Sequence, residues 1–204
     1  ITPRSIVLPI HFDVLAFNMS IASLQLAGQE PIKLKSLSLK ATGSKKKLQL
    51  HELLVDHDQG QLLAMGNLQL NGYYEHVLSV DADAQLDDGS PLKLTLRSSG
   101  NIDSLSAQVD LIETVLSTKS STVMTQTKPL KLGIDLTAQP SKSTLPVEIR
   151  LDWTHLKWPL TAASLKSESG VIDISGDLTA LNMTIKTMVA GLNMPDTKVS
   201  LSAI

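Results

Sequence analysis

The stretch Leu92-Lys93-Leu94-Thr95-Leu96 sets three leucines two positions apart with polar residues between them. Successive side chains of a β-strand point to opposite faces, so this stretch predicts a strand with one apolar and one polar face. Leucine prefers helices, but hardly any window has the spacing of an amphipathic helix, and pattern outranks propensity where the two disagree. The same alternation occurs at residues 24–26, 37–39, 48–50, 68–70, 130–132 and 147–151.

Residues typical of turns separate these stretches at short intervals, which predicts about fourteen strands in an antiparallel meander. Between Leu34 and Leu37 the apolar positions change parity, as a β-bulge would produce. Residues 112–128 alternate poorly, and a loop, a short helix over 112–116 or a poorly paired strand all remain open there. The turn signals lie at 28–31, 42–44, 58–60, 71–72, 87–91, 100–101, 139–141, 170, 176–177 and 191–195.

Composition excludes several classes of protein. The 204 residues are 42% hydrophobic with a formal charge of -2, which argues against disorder. Eighteen basic residues against twenty acidic ones and 3% aromatic residues give neither a phosphate-neutralising excess nor a stacking platform, so we predict no nucleic-acid binding. No apolar run approaches the 18 to 20 residues or so of a spanning helix.

No motif of an enzyme or of a cofactor site occurs in the sequence, and we predict neither catalysis nor a cofactor. Asp56-His57-Asp58 is the only local cluster with metal-binding side chains, and a solvated hairpin turn explains it better than a metal site. What remains is a collective feature, an apolar stripe of Leu, Val and Ile that most strands share. It predicts either a closed sandwich or a single long sheet whose apolar face lines a groove.

Several stretches, taken in order, resemble the TamB family of the AsmA-like superfamily. Residues 145–162, with Leu145-Pro146 and Trp158-Pro159-Leu160, resemble a strand-containing stretch of that family, although Trp153 departs from its pattern. Residues 8–14, 58–70 and 178–199 resemble further strands. Each match is a strand pattern, so the ordered series carries the resemblance more than any one motif.

The resemblance implies a long periplasmic sheet folded into a taco-shaped, U-shaped groove with an apolar interior. It also implies an inner-membrane anchor before Ile1 and a region after Ile204 that engages TamA, so we expect residues 1–204 to be a single groove segment of a longer protein. Members are implicated in moving phospholipids between the inner and outer membranes or in assembling outer-membrane proteins such as autotransporters.

Two hypotheses follow. In the first, phospholipid acyl chains lie along the apolar stripe; in the second, sheet edges capture barrel strands by β-augmentation. Free edges also predict possible edge-to-edge self-association of the chain. The candidate lining residues are Ile10, Phe12, Val14, Leu24, Leu26, Leu37, Leu39, Leu48, Leu50, Leu68, Leu70, Leu78, Val80, Leu92, Leu94, Leu96, Leu130, Leu132, Ile134, Leu136, Val147, Ile149, Leu151, Ile172, Ile174, Met183 and Ile185.

Overall fold

A computed structural model of the chain describes residues 5–24, 32–86, 89–114, 128–158, 165–191 and 194–203. These residues form one sheet of twelve strands. In chain order the strands are β1 (Phe12–Leu24), β2 (Ile32–Ser44), β3 (Lys47–His57), β4 (Gly60–Gln69), β5 (His76–Gln85), β6 (Pro91–Gly100), β7 (Leu105–Glu113), β8 (Lys131–Ala138), β9 (Val147–Trp158), β10 (Leu165–Asp177), β11 (Ala180–Gly191) and β12 (Met194–Ala203).

The sheet is an antiparallel meander in which each strand pairs with its neighbours in sequence, from β1 at one edge to β12 at the other. The predicted all-β antiparallel fold is therefore confirmed. The predicted number of strands is wrong for the described residues, which form twelve rather than fourteen, because several strands reach 13 residues and run through expected breaks. Eleven spacings of about 4.8 Å make the sheet about 53 Å wide across its strands.

Little of the sheet is fully buried. Among the described residues the buried apolar side chains are Ala64, Leu70, Leu130 and Trp153, while leucines in the middle of the sheet such as Leu96 are half-buried. In a closed sandwich the inner face would be a dry core of fully buried side chains. The described residues therefore favour the open sheet over the sandwich.

Register shifts interrupt the ladder at a few places. One lies between Leu34 and Ser36, where the sequence predicted a bulge. Others lie between Val14 and Phe17 in β1, and between Leu50 and Leu53 in β3. A bulge adds an unpaired residue and bends its strand, so these shifts introduce local bends on the β1–β4 side of the sheet.

The connections at one end of the strands are joined to each other by backbone hydrogen bonds. We call this end the turn-linked rim; it comprises residues 5–8, 45–46, 70–75, 101–104, 139–146 and 178–179. Each connection bonds to the next one along the sheet, which ties the strand ends together independently of the ladder. The bonds run from Leu8 N to Lys45 O, Leu70 N to Lys46 O, Ile102 N to Tyr73 O, Ser141 N to Ile102 O and Leu178 N to Thr144 O, at 2.6–3.1 Å.

The poorly alternating segment begins as a strand, because β7 continues through Glu113. The Glu113 backbone N–H donates to the carbonyl oxygen of Leu130 at 2.9 Å, so the two ends of the connection to β8 lie side by side. Residues 115–127 of this prediction lie outside the described residues. None of the described residues forms a helix with the length and apolar character that a bilayer crossing requires.

Gly170 lies in the middle of β10, so its assignment to a turn is wrong. It pairs directly with Trp153 of β9, and a methyl group at Gly170 would overlap the indole ring. The missing side chain leaves room for the ring to lie across the neighbouring strand. A glycine inside a strand therefore marks a close approach here rather than a chain reversal.

We expect Gly170→Ala to destabilise the fold by about 1–3 kcal/mol, because the added methyl overpacks against Trp153. The matched control is Gly133→Ala in β8, where the atom nearest the new methyl would be a carboxylate oxygen of Asp152, at 3.2 Å. Urea unfolding of the two variants measures the difference. Equal unfolding midpoints for both would contradict this account of Gly170.

Candidate functional site

One row of side chains crosses the entire sheet without a polar residue. Residues directly opposite each other in paired strands point to the same face, so a chain of direct pairs defines a row. Each member of this row, which we call the central row, pairs with the next. Its members are Phe17, Leu39, Leu53, Ala64, Val80, Leu96, Val109, Ile134, Leu151, Ile172, Ile185 and Leu201.

Two further rows flank the central row on the same face. The near row lies toward the turn-linked rim and runs from Val14 to Ala203; the far row lies on the other side and runs from Met19 to Val199. Most of their members are also aliphatic, and none of the described residues in these three rows carries a charge. The three rows are the central part of one face of the sheet, which we call the apolar face.

The register places most of the candidate lining residues on this face of the sheet. Leu70 and Leu130 lie outside the strands and are only 3% and 2% exposed, so they do not line an open surface. Ile10 precedes β1, Leu24 belongs to β1, and Leu26 lies outside the described residues. The candidates on this face are Phe12, Val14, Leu37, Leu39, Leu48, Leu50, Leu68, Leu78, Val80, Leu92, Leu94, Leu96, Leu132, Ile134, Leu136, Val147, Ile149, Leu151, Ile172, Ile174, Met183 and Ile185.

Other residues of the apolar face did not enter the sequence prediction. Adjacent leucines were the main obstacle, because parity alone does not say which member of a pair faces which way. Leu53 and Leu62 belong to this face, whereas Leu54 and Leu63 pair with each other on the opposite one. Continuous alternation did mark some of the missed residues, such as Val109 in β7.

The opposite face of the sheet is mostly polar and carries exposed ion pairs. Arg97 donates to both carboxylate oxygens of Asp81, at 2.8 and 3.0 Å, and Arg150 donates to Asp173 at 2.9 Å. Hydrogen bonding by the Lys40 ammonium group, with a smaller contribution from Ser38, lowers the pKa of Glu52. The two faces therefore differ sharply, one solvated and charged and the other aliphatic.

Asp177 closes the β10–β11 hairpin at the turn-linked rim. Its carboxylate accepts hydrogen bonds from the Thr179 hydroxyl and the Thr179 backbone N–H, at 2.5 and 2.8 Å. These bonds favour the ionised carboxylate and lower the pKa of Asp177. The turn is thus fixed by a side chain that stays charged near neutral pH.

A small polar network interrupts the apolar face between β9 and β11. The Trp153 indole Nε1–H donates to the Ser167 hydroxyl at 2.8 Å, and Ser167 lies 2.9 Å from the Thr187 hydroxyl. Both hydroxyl groups lie 3.2 Å from the carbonyl oxygen of Ser169. The buried Ser167 is therefore fully partnered, and the network fixes the orientation of the indole ring.

We expect Ser167→Ala to destabilise the fold by about 1–3 kcal/mol, since it leaves the buried indole N–H without an acceptor. Ser169→Ala is the control, because its exposed side chain takes no part in the network and only its carbonyl group accepts. Chemical denaturation followed by tryptophan fluorescence compares the two. A similar loss of stability in both variants would show that the Trp153 hydrogen bond is unimportant.

In the Asp56-His57-Asp58 cluster, Asp56 and His57 end β3 and Asp58 begins the turn to β4. His57 Nδ1 accepts a hydrogen bond from the Gln59 backbone N–H at 3.2 Å, and Asp58 pairs with Lys35 at 3.2 Å. These side chains thus bond locally rather than converge on a common point. Within the described ranges no group of three or more His, Cys, Asp or Glu side chains is arranged to hold a metal ion.

The structure is thus a wide open sheet with one largely aliphatic face. Comparison with protein families identifies the family of the chain. The model of the TamB N-terminal domain matches residues 1–204. The chain belongs to the TamB N-terminal domain family. TamB proteins are transport and assembly proteins of the Gram-negative envelope, associated with TamA in the translocation and assembly module. No solved structure matches the chain.

Proposed function

We propose that this chain is a segment of a periplasmic conduit through which phospholipids move between the inner and outer membranes. Their acyl chains lie on the apolar face, and their headgroups stay in contact with water. The observation that carries this proposal is the unbroken central row, which offers an apolar contact in every one of the twelve strands.

The energetics require such continuity. At about 0.8 kcal/mol per CH₂, a two-chain lipid with about 32 acyl carbons loses roughly 25 kcal/mol when it leaves a membrane for water. An apolar surface replaces that environment only where it has no gaps. The central row passes from β1 to β12 by direct pairs, so a lipid moving along it exchanges one apolar contact for another at each strand.

The distribution of charge supports the same function. The three rows of the apolar face lack charged side chains among the described residues, while the opposite face has several ion pairs. A single unpaired charge beneath the acyl chains would cost several kcal/mol locally. The bulges in β1 to β3 would bend the strands around the lipid, which gives the groove its U shape.

In the proposed setting the full-length protein is anchored in the inner membrane and reaches across the periplasm. This segment then forms part of the bridge, and contact with TamA involves a region outside it. The width of the sheet, about 53 Å, covers part of the distance between two membranes. Further strands would extend the same surface.

Arginine in place of Leu94 or Leu132 tests the proposal, because both leucines lie in the far row of the apolar face. We expect either variant of the full-length protein to block phospholipid transfer to the outer membrane, and the purified chain to retain about tenfold less lipid, since the charge must be desolvated. Mass spectrometry of a solvent extract measures retention.

Thr95→Arg is the matched control, since Thr95 follows Leu94 directly in β6 and lies on the polar face. It adds the same charge to the same strand without placing it under the lipid. Circular dichroism verifies that all variants remain folded. Normal transfer in both leucine variants would refute the conduit.

A second function is favoured by the two edges of the sheet. Within the described sheet β1 and β12 each pair on one side, and β1 presents exposed apolar side chains at Leu15, Phe17 and Met19. Unpaired backbone groups at such an edge bind extended segments by β-augmentation. A chaperone for outer-membrane proteins would use these edges, and so would a second copy of the chain.

Photocrosslinking distinguishes the two functions. A photoreactive residue in the central row at Leu96 or Ile134 reports what covers the apolar face, and one at Leu15 reports what binds the β1 edge. Lipid adducts at the central row are expected if the chain conducts phospholipids. Polypeptide adducts confined to the edge, with a central row that gives none, would favour the assembly function instead.

A further inference from the structure

One ion pair differs from the others in the described part of the chain. The pairs Lys35–Asp58, Lys40–Glu52, Arg97–Asp81 and Arg150–Asp173 have N···O distances of 2.8–3.2 Å and at least one well-exposed partner. Lys157 and Glu113 are 3.9 Å apart, and their side chains are only 28% and 13% exposed. The most buried pair is thus also the most widely separated.

Glu113 lies at the end of the apolar face that faces away from the turn-linked rim. It pairs directly with Leu92, one step beyond the far row, where the next pair is Leu94 with Leu111. Its Oε2 atom accepts a hydrogen bond from the Leu130 backbone N–H at 3.2 Å, which holds the carboxylate in place. A negative charge is therefore fixed at the border of an aliphatic surface.

Lys157 approaches this carboxylate from β9, two strands away. At 3.9 Å its ammonium group attracts the carboxylate but is beyond hydrogen-bond distance. Removing both ions from water costs free energy that this separated geometry recovers poorly. A ligand group that offers a hydrogen-bond acceptor to the ammonium and a positive charge to the carboxylate would improve both interactions.

Along β9 to β11 the face changes from apolar to polar toward the end of the sheet where Glu113 lies. The Trp153 ring lies against Gly170 in the far row, and its N–H points to Ser167, one step closer to the Glu113 end. Tryptophan adopts this arrangement where an apolar layer meets a polar one. At the end of β7 to β11 nearest the turn-linked rim the face is apolar, with Leu105, Ala138, Val147 and Leu181.

We propose that Glu113 and Lys157 form a binding station for the headgroup of a zwitterionic phospholipid. The Lys157 ammonium group binds a phosphate oxygen, the Glu113 carboxylate binds the ammonium group of the headgroup, and the acyl chains extend over the far and central rows. This assignment rests on the proposed conduit and adds to it a headgroup preference and a direction for the lipid on the sheet.

The test offers the full chain three lipids at once. Vesicles of equal parts dioleoyl-phosphatidylethanolamine, dioleoyl-phosphatidylglycerol and dioleoylglycerol are incubated with the protein, which is then re-isolated, and its bound lipids are quantified by mass spectrometry. The wild type is expected to enrich phosphatidylethanolamine above phosphatidylglycerol, and both above dioleoylglycerol. The third lipid has the same acyl chains without phosphate or amine.

Each substitution is expected to remove one part of this preference. Lys157→Gln should lower the enrichment of both phospholipids over dioleoylglycerol by about tenfold, since each loses a charge-assisted hydrogen bond to phosphate. Glu113→Gln should remove only the preference for phosphatidylethanolamine over phosphatidylglycerol. Lys198→Gln and Glu148→Gln on the polar face are the controls and should change neither ratio.

The outcomes separate this inference from the proposed function. Wild-type protein that retains all three lipids in equal amounts, with unchanged ratios in the variants, overturns the headgroup station and leaves the conduit standing. Protein that retains none of the three lipids overturns both. Circular dichroism of each variant establishes that a lost preference comes from a folded sheet.

Discussion

Register between neighbouring strands is the constraint on which the rest of the structure depends. In an antiparallel ladder directly opposed residues share a face, and a slip of one residue would move every later side chain to the other face. Eleven consecutive ladders must agree for one apolar row to cross the sheet. The short connections of the turn-linked rim help to fix this agreement, because Lys45 and Lys46 join β2 to β3 directly and bond to the neighbouring connections.

An open sheet of this kind is stabilised differently from a domain with a packed core. Its apolar side chains are only half-buried, so the hydrophobic contribution to folding is incomplete while the face is solvated. The Trp153–Ser167 hydrogen bond and the backbone hydrogen bonds of the turn-linked rim hold the strands in place, as a packed core does in other proteins. Any apolar ligand that binds this face only in the folded state also raises the stability of the fold by mass action. In the proposed conduit, the transported lipids would then also stabilise the folded sheet.

Much of this architecture is readable in the sequence because period-two alternation is a direct record of a two-faced sheet. Stretches such as residues 92–96 predicted both the strand and the face correctly. The doublets at Leu53 and Leu62 did not, since the orientation of a doublet depends on the register of the neighbouring strand. Gly170 also misled the prediction, because the partner that explains it, Trp153, belongs to another strand. The Glu113–Lys157 pair has no sequence signal, as its members are separated by the whole of β8.

The purely sequential order of the strands has a consequence for how such a protein can vary. In the described sheet each strand pairs only with its neighbours in the chain, so each hairpin depends mainly on those beside it. Stability is then close to a sum of local terms, as in repeat proteins. Inserting or deleting one hairpin would change the span by about 10 Å and leave every other strand with equivalent neighbours. The span of the sheet is therefore set by the number of hairpins, and it changes in steps of two strands.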